Sequence, residues 1–225
     1  MCGRYTLTTP TDEIAEMLGI SHSVLTTPRY NIAPTQDILI ARQNEQNQRE
    51  LVMLRWGLIP AFIKEPKKVV NPINARSESV NEKPFFRGAF RKRRCLIPVD
   101  GYYEWQTRGK LKQPYLMRLK NEVFFLAGFW EAWVSPKGEV IETAAMLTTA
   151  ANDIVSKVHN RMPVILKPEN FSAWLNNTQD ADSLLSLLVP YESAGMKIYP
   201  VSTMVNSGRN ESPECIEACG ERIVL

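Results

Sequence analysis

LIPVDGYYEWQ, residues 96–106, decides the fold class. Apolar and aromatic residues run up to Asp100-Gly101 and resume after it. That dipeptide is a turn signal, so the stretch reads as one strand on each side. Working outward, QPYLMRL (113–119), VFFLAGFWEAW (123–133) and VIETAAMLTTAA (140–151) read as longer strands. Upstream, DILIAR (37–42) and ELVMLRWG (50–57) read as two strands joined by the polar turn QNEQNQ. Helical signals flank this centre. Thr11 to Gly19 has Thr9 or Thr11 as cap, an apolar stripe of Ile14, Met17 and Leu18, and a terminating glycine. ANDIVSKVHNRMP (151–163) reads as a short helix ended by Pro163. PENFSAWL and DADSLLSLL read as two more helices, and KIYPVS (197–202) as a late strand. The stretch 59–79 reads as loop. Strands in the middle with helices before and after are an α+β pattern rather than a regular βαβ alternation. With no linker, repeat or low-complexity segment, residues 1–225 are expected to form a single domain.

Composition narrows the class. The chain has 225 residues, 44% of them hydrophobic and 23% charged, as for a soluble globular protein. No run approaches the roughly 20 apolar residues of a membrane span. MCGRYTLTTPTDE lacks the apolar core of a signal peptide, so a cytoplasmic location is expected. Four scattered cysteines (Cys2, Cys95, Cys215 and Cys219) do not suggest a disulfide scaffold. His22 and His159 are remote in sequence from the Cys215/Cys219 pair, so no zinc site is expected. Cys95 reads as a small buried hydrophobe. No nucleotide-binding loop, HExxH or GxSxG occurs, and no cofactor or metal is expected. The net charge of +3 hides an asymmetry. Residues 60–120 carry a balance of +10, densest at Arg87 and Arg91-Lys92-Arg93-Arg94, and the rest of the chain sits at −7. Such a segment is either a polyanion-binding face or an ordinary solvated loop.

Cys2 has unusual chemical potential. Removal of Met1 would leave an α-amine and a thiol on adjacent carbons, with reference pKa values near 8 and about 8.5. A 1,2-aminothiol traps aldehydes: the amine condenses to an imine and the thiol closes a thiazolidine. The residue alone more readily fits an accident in a frayed terminus. Glu104, between aromatic neighbours, fits either a carboxyl of raised pKa suited to proton transfer or an exposed charge on an alternating strand. His159 fits a structural histidine, or an imidazole placed with Arg161 beside a phosphate. Asn74 and Arg76 in PINARSES alternate along an extended segment and so share a face. Arg76 offers a phosphate fork and Asn74 an amide to orient a reacting oxygen, with Arg4 and Asn31 in similar roles. Trp56, Phe62, Phe85 and Phe86 are either base-stacking rings or core.

Six motifs occur in order: MCGRY at the start, RYNIAP at 29–34, WGLIP at 56–60, INARSE at 73–78, CLIPVDGYYEW at 95–105 and VHNRMPVIL at 158–166. Together they closely resemble the SRAP family, the SOS response-associated peptidases or abasic-site processing proteins, over nearly the whole chain. The resemblance implies a mixed, mostly antiparallel barrel-like sheet with flanking helices. It implies a partner, single-stranded DNA containing abasic sites, held in a positively charged channel. It also implies a thiazolidine crosslink from the N-terminal Cys to the sugar's C1′ aldehyde, which shields the lesion. On matching residues, Cys2 is the nucleophile, Glu104 the acid/base, His159 a proton donor near the sugar and phosphate, and Asn74 an orienting amide. Arg4, Arg76 and Arg161 would grip phosphates and Trp56 would stack on bases, with Asn31 grouped among the DNA-binding residues. Weak lyase activity is implied through the imine, and the family name records a proposed autopeptidase. A monomer is expected, with no membrane partner. Two other readings stay open: a thiol peptidase built on Cys2, His159 and Glu104, and a non-covalent single-stranded DNA-binding module.

Overall fold

Asp100-Gly101 is not a hairpin turn. The computed structural model describes residues 2–22, 24–109, 111–120 and 122–224, leaving aside the side chains of Lys67 and Arg108. Its elements in chain order are β1 (Tyr5–Leu7), α1 (Thr11–Leu18), β2 (Arg29–Ile32), β3 (Asp37–Gln43), β4 (Arg49–Trp56), β5 (Asn74–Arg76), α2 (Pro84–Lys92), β6 (Arg94–Val99), β7 (Gly101–Arg108), β8 (Leu111–Leu119), β9 (Phe124–Val134), β10 (Val140–Ala150), β11 (Arg161–Pro163), β12 (Ile165–Leu166), α3 (Phe171–Leu175), α4 (Ala181–Ser186) and β13 (Met196–Pro200). β6 pairs with β3 and β9, whereas β7 pairs with β1 and β8. The chain therefore leaves one sheet for another at Asp100-Gly101.

The first sheet closes on itself. β4, β3, β6 and β9 pair in sequence, antiparallel throughout, and β10 joins β9 antiparallel to β4 parallel. The result is a five-stranded mixed barrel, with β5 and β11 pairing β10 and β12 pairing β9. The second sheet, ordered β13-β8-β7-β1-β2, is entirely antiparallel. β6 is buried along its whole length, as a strand covered on both faces should be. α2 and α3 pack against it.

Two residues make the crossing possible. Asp100 is buried and accepts four hydrogen bonds from the Thr8-Thr9 corner. Thr8 Oγ1 and Thr9 Oγ1 each lie 2.6 Å away. This ties the N-terminal strand to the switch. At Gly101 a Cβ would sit 2.9 Å from Leu116 Cδ1 and 2.9 Å from the Met117 carbonyl oxygen, so β8 can run this close only past a glycine.

The sequence reading differs from the structure at three further elements that matter for function. Asn74–Arg76, within the stretch 59–79 expected to be loop, is strand β5 paired with β10. Residues 151–163 do not form an α-helix. Asn152 Oδ1 accepts from the Val155 N–H at 3.0 Å, which closes a single 3-10 turn over Val155–Lys157. Arg161–Pro163 then pairs with β10 as β11. His159 consequently sits on the tight connection into β11. The basic run, in contrast, begins in a helix: Arg87, Arg91 and Lys92 lie on α2, Arg93 caps it and Arg94 opens β6. Pro84 starts α2, and Arg91 and Lys92 lie in its last turn, where cations complement the helix dipole.

Candidate active site

Cys2 sits against the edge of the second sheet, just ahead of β1, and is buried (1% exposed). Asn74, on β5 of the barrel sheet, donates from Nδ2 to the Cys2 carbonyl at 2.7 Å. The Cys2 thiol points to the Arg4 carbonyl at 3.8 Å, its single hydrogen bond among the described residues. The two sheets thus meet at Cys2. Trp56 helps to set this position. Its indole Nε1 donates to the Ile73 carbonyl at 3.0 Å, one residue before Asn74, and its ring meets Tyr5 edge-on at 5.5 Å. The Trp56 ring, expected to stack on bases, is fully buried in this structure and braces the strand whose Asn74 holds Cys2.

Glu104 lies on β7, buried to 2% exposure. Burial pushes its carboxyl up to about 7, into the range where a proton moves easily in either direction at neutral pH. Its charge also reaches Cys2. Burial first, and Glu104 second, raise the Cys2 thiol far above its ordinary range, so Cys2 is a neutral thiol rather than an activated thiolate. His159 is half-buried, and burial lowers its imidazole pKa, which favours the neutral ring at pH 7. Nδ1 faces the Arg161 backbone, 3.0 Å from its N–H and 3.2 Å from its carbonyl oxygen, which orients the ring. Glu104 and His159 line one cleft of about 500 Å3 together with Trp105, Thr107, Lys112 and Asn206. Trp105 Nε1 donates to Asn206 Oδ1 at 2.6 Å and fixes one wall.

Cys2, Asn74, Glu104 and His159 are therefore brought to one place from four separate segments of sheet and connection. The expected DNA contacts are distributed differently. Arg4 donates to Asn31 Oδ1 at 2.9 Å and to the Val205 and Asn206 carbonyls. Asn31 is fully buried and its Nδ2 donates to the carbonyls of Val205, Ser207 and Asn210. These two residues pin the 205–210 segment that carries Asn206 into the cleft wall. Arg161 is engaged by Glu78 at 2.5 and 2.9 Å and by the Thr148 carbonyl at 2.7 Å. Arg76 is exposed and makes no ion pair among the described residues. The dense basic cluster also divides. Arg94 is buried and donates to the carbonyls of Phe90, Arg91, Trp174 and Asn176, Arg93 pairs with Glu131, and Arg87 and Lys92 remain exposed. A charge count along the sequence could not separate guanidinium groups that staple carbonyls from those that face solvent.

A family model described as SOS response associated peptidase (SRAP) matches residues 1–208. The chain belongs to the SRAP family. It is 43% identical over 224 residues to the abasic site processing protein YoqW of Bacillus subtilis, covering 97% of this chain and 100% of that one. It is 33% identical to the abasic site processing protein HMCES of Gallus gallus, covering 84% of this chain and 66% of that protein. An X-ray structure of a protein from Bacteroides thetaiotaomicron superposes with a TM-score of 0.88 at 26% identity, covering 97% of this chain and 100% of the other. The SRAP barrel-and-sheet architecture is thus the fold expected from the motifs. Sequence reasoning missed Asn206, Lys112 and Trp105 as cleft residues. Trp105 stands beside Glu104 in the quoted motif, but Asn206 arrives from a segment 101 residues beyond Trp105, and no local pattern announces it. Met1, whose removal would free the Cys2 amine, lies outside the described residues. Among the described residues no group of three or more His, Cys, Asp or Glu side chains forms a metal site, and no helix is long and apolar enough to cross a membrane.

Proposed function

We propose that this SRAP protein processes abasic sites in single-stranded DNA by forming a thiazolidine between Cys2 and the C1′ aldehyde of the lesion. The observation that carries the reading is the meeting, at a buried Cys2, of the Asn74 amide and a Glu104 carboxyl poised near neutrality. The names of the 43% and 33% identical relatives support the substrate class.

The chemistry requires Met1 to be absent. The Cys2 α-amine then adds to the aldehyde carbon, forming a carbinolamine. Its hydroxyl leaves as water, taking a proton from Glu104, and a C=N iminium results, its nitrogen still carrying one hydrogen. The thiol sulfur adds to that carbon while its proton passes to the Glu104 carboxylate, which restores the acid and leaves a neutral ring. The net change is loss of one water from protein plus DNA. Asn74 holds the Cys2 carbonyl and so fixes the amine and thiol relative to each other. His159, whose burial favours the neutral ring, serves as proton donor near the sugar and its phosphate. Arg76 contacts a flanking phosphate directly, and Arg161 does so by exchanging exposed Glu78 for a phosphate.

The peptidase reading has less support. The Cys2 thiol is neutral and hydrogen-bonds the Arg4 carbonyl, where a thiol protease needs a thiolate–imidazolium pair. The test is intact mass of the protein with and without an abasic oligonucleotide. The expected species lacks Met1 and gains the oligonucleotide mass minus one water. It should disappear in Cys2→Ala. A Cys2→Ala protein that still gave the heat-stable species would sink the thiazolidine reading.

A further inference from the structure

Three polar atoms around Cys2 are buried and have no hydrogen-bond partner among the described residues: the Tyr5 hydroxyl, the Tyr102 hydroxyl and Asn74 Oδ1. A buried polar atom without a partner is destabilising, so three in one neighbourhood call for an explanation. The sheet register puts them together. Tyr5 and Tyr102 are direct cross-strand partners in β1 and β7, so their side chains share a face. Glu104, two residues on from Tyr102, shares that face as well. Tyr5 meets Trp56 edge-on, Trp56 holds Ile73, and Ile73 precedes Asn74. Both phenols feel the Cys2 thiol electrostatically, and Tyr102 also feels Glu104.

The neighbouring Tyr103 shows what a structural tyrosine does here. It points to the other face, and its hydroxyl donates to the Tyr30 carbonyl at 2.6 Å within the smaller core cluster. Tyr102 and Tyr5 lie in the main core with Cys2 and have no such partner among the described residues. Two donors and one acceptor left unpartnered in the neighbourhood of Cys2 match the needs of a hydroxyl or water, which takes about three hydrogen bonds when buried.

We infer that Tyr102, Tyr5 and Asn74 Oδ1 form the site for the oxygen that leaves C1′ as water during imine formation. The inference rests on the thiazolidine reading. In the carbinolamine the C1′–O bond breaks and the oxygen departs with its own hydrogen and a second proton from Glu104. The phenols donate to this oxygen as charge develops on it, and Asn74 Oδ1 accepts from the departing water. Burial raises both phenol pKa values, so each remains a donor throughout the neutral range. The same site supplies the water when the crosslink reverses.

The test is Tyr102→Phe, with Tyr5→Phe as an independent second variant. Adduct formation with an abasic oligonucleotide is followed by mass, and the imine is trapped in parallel with borohydride. In each variant, imine trapping and adduct formation should slow together by about 10- to 100-fold, as for loss of one preorganised donor. Reversal should slow by a similar factor. Melting temperature should stay the same or rise, because an unsatisfied hydroxyl has been removed. Unchanged adduct rates, or a fall in melting temperature in both variants, would overturn the assignment. If wild-type protein gave no adduct, the thiazolidine reading itself would fail, and that result is distinct from an unaltered rate in the phenylalanine variants.

Discussion

Replacing Glu104 by Gln removes the buried carboxyl near Cys2 and should invert the usual effect of neutralising an acid. In the folded protein burial raises this group from 4.5 to about 7. Between those values the native state holds a proton that the unfolded chain has released, so stability falls as pH rises through the window. A tenfold difference in proton affinity between the folded and unfolded chain is worth about 1.4 kcal/mol, so wild type should lose about 3 kcal/mol from this residue between pH 4 and pH 8. Glutamine carries no such titration. The stability of Glu104→Gln relative to wild type should therefore improve by about 3 kcal/mol from pH 4 to pH 8, a relative gain in melting temperature on the order of 6–12 °C for a chain of this size. Scanning calorimetry or urea titration of both proteins at matched pH measures it. Adduct formation should fall in the same variant by at least about 100-fold, because proton transfer to the leaving oxygen is lost. A stability difference independent of pH, or one that shifts against the variant as pH rises, would refute the claim that this carboxyl is held neutral by burial.

Other substitutions separate structure from chemistry. Cys2→Ser should still form an imine that borohydride traps but give no heat-stable adduct, since a hydroxyl does not close a durable ring. Arg76→Ala should weaken single-stranded DNA binding and reduce the dependence of log affinity on log salt by about 0.7, as for one lost phosphate contact. Arg94→Met, in contrast, should leave that salt slope unchanged. It should cost about 3 kcal/mol in a denaturant titration, because four carbonyl acceptors lose their donor. Asp100→Ala should destabilise by a similar ~3 kcal/mol through the four bonds lost at Thr8 and Thr9. A larger fall in adduct rate than in stability would show that this corner also positions Cys2.

What could be read from the chain depended on how local the information was. Alternating strands and the helix at Thr11 are local patterns, and they stand where the sequence put them. Asp100-Gly101 is a local turn signal whose outcome is nonlocal. The dipeptide turns the chain, but Thr8, Thr9 and the close pass of β8 direct it into a second sheet rather than back along the first. His159 is similar: its segment has helical spacing, yet pairing of Arg161–Pro163 with β10 offers the backbone better-satisfied hydrogen bonds than another helical turn. Among the candidate site residues, those converging on Cys2 share a motif with an apolar neighbour, which is why burial and a perturbed acid were foreseeable at Glu104. The carbonyl partners of Arg4, Asn31, Arg94 and Trp56 were not legible, because residue type reports a capacity to donate and only the fold brings a particular acceptor within reach.

Burial also sets an order on the proposed chemistry. A buried thiol with its pKa raised is a poor first nucleophile, because ionising it would place a second negative charge beside Glu104. The α-amine meets no such penalty, since its attacking form is neutral. The amine therefore leads, and imine formation creates the positive carbon-nitrogen centre that draws the thiol proton away. At that point Glu104, having given its proton to the leaving water, is a carboxylate and can accept the thiol's. One carboxyl near neutrality thus serves both steps, as acid for the first and base for the second. Such double use requires a pKa close to the working pH, and the burial of Glu104 supplies it.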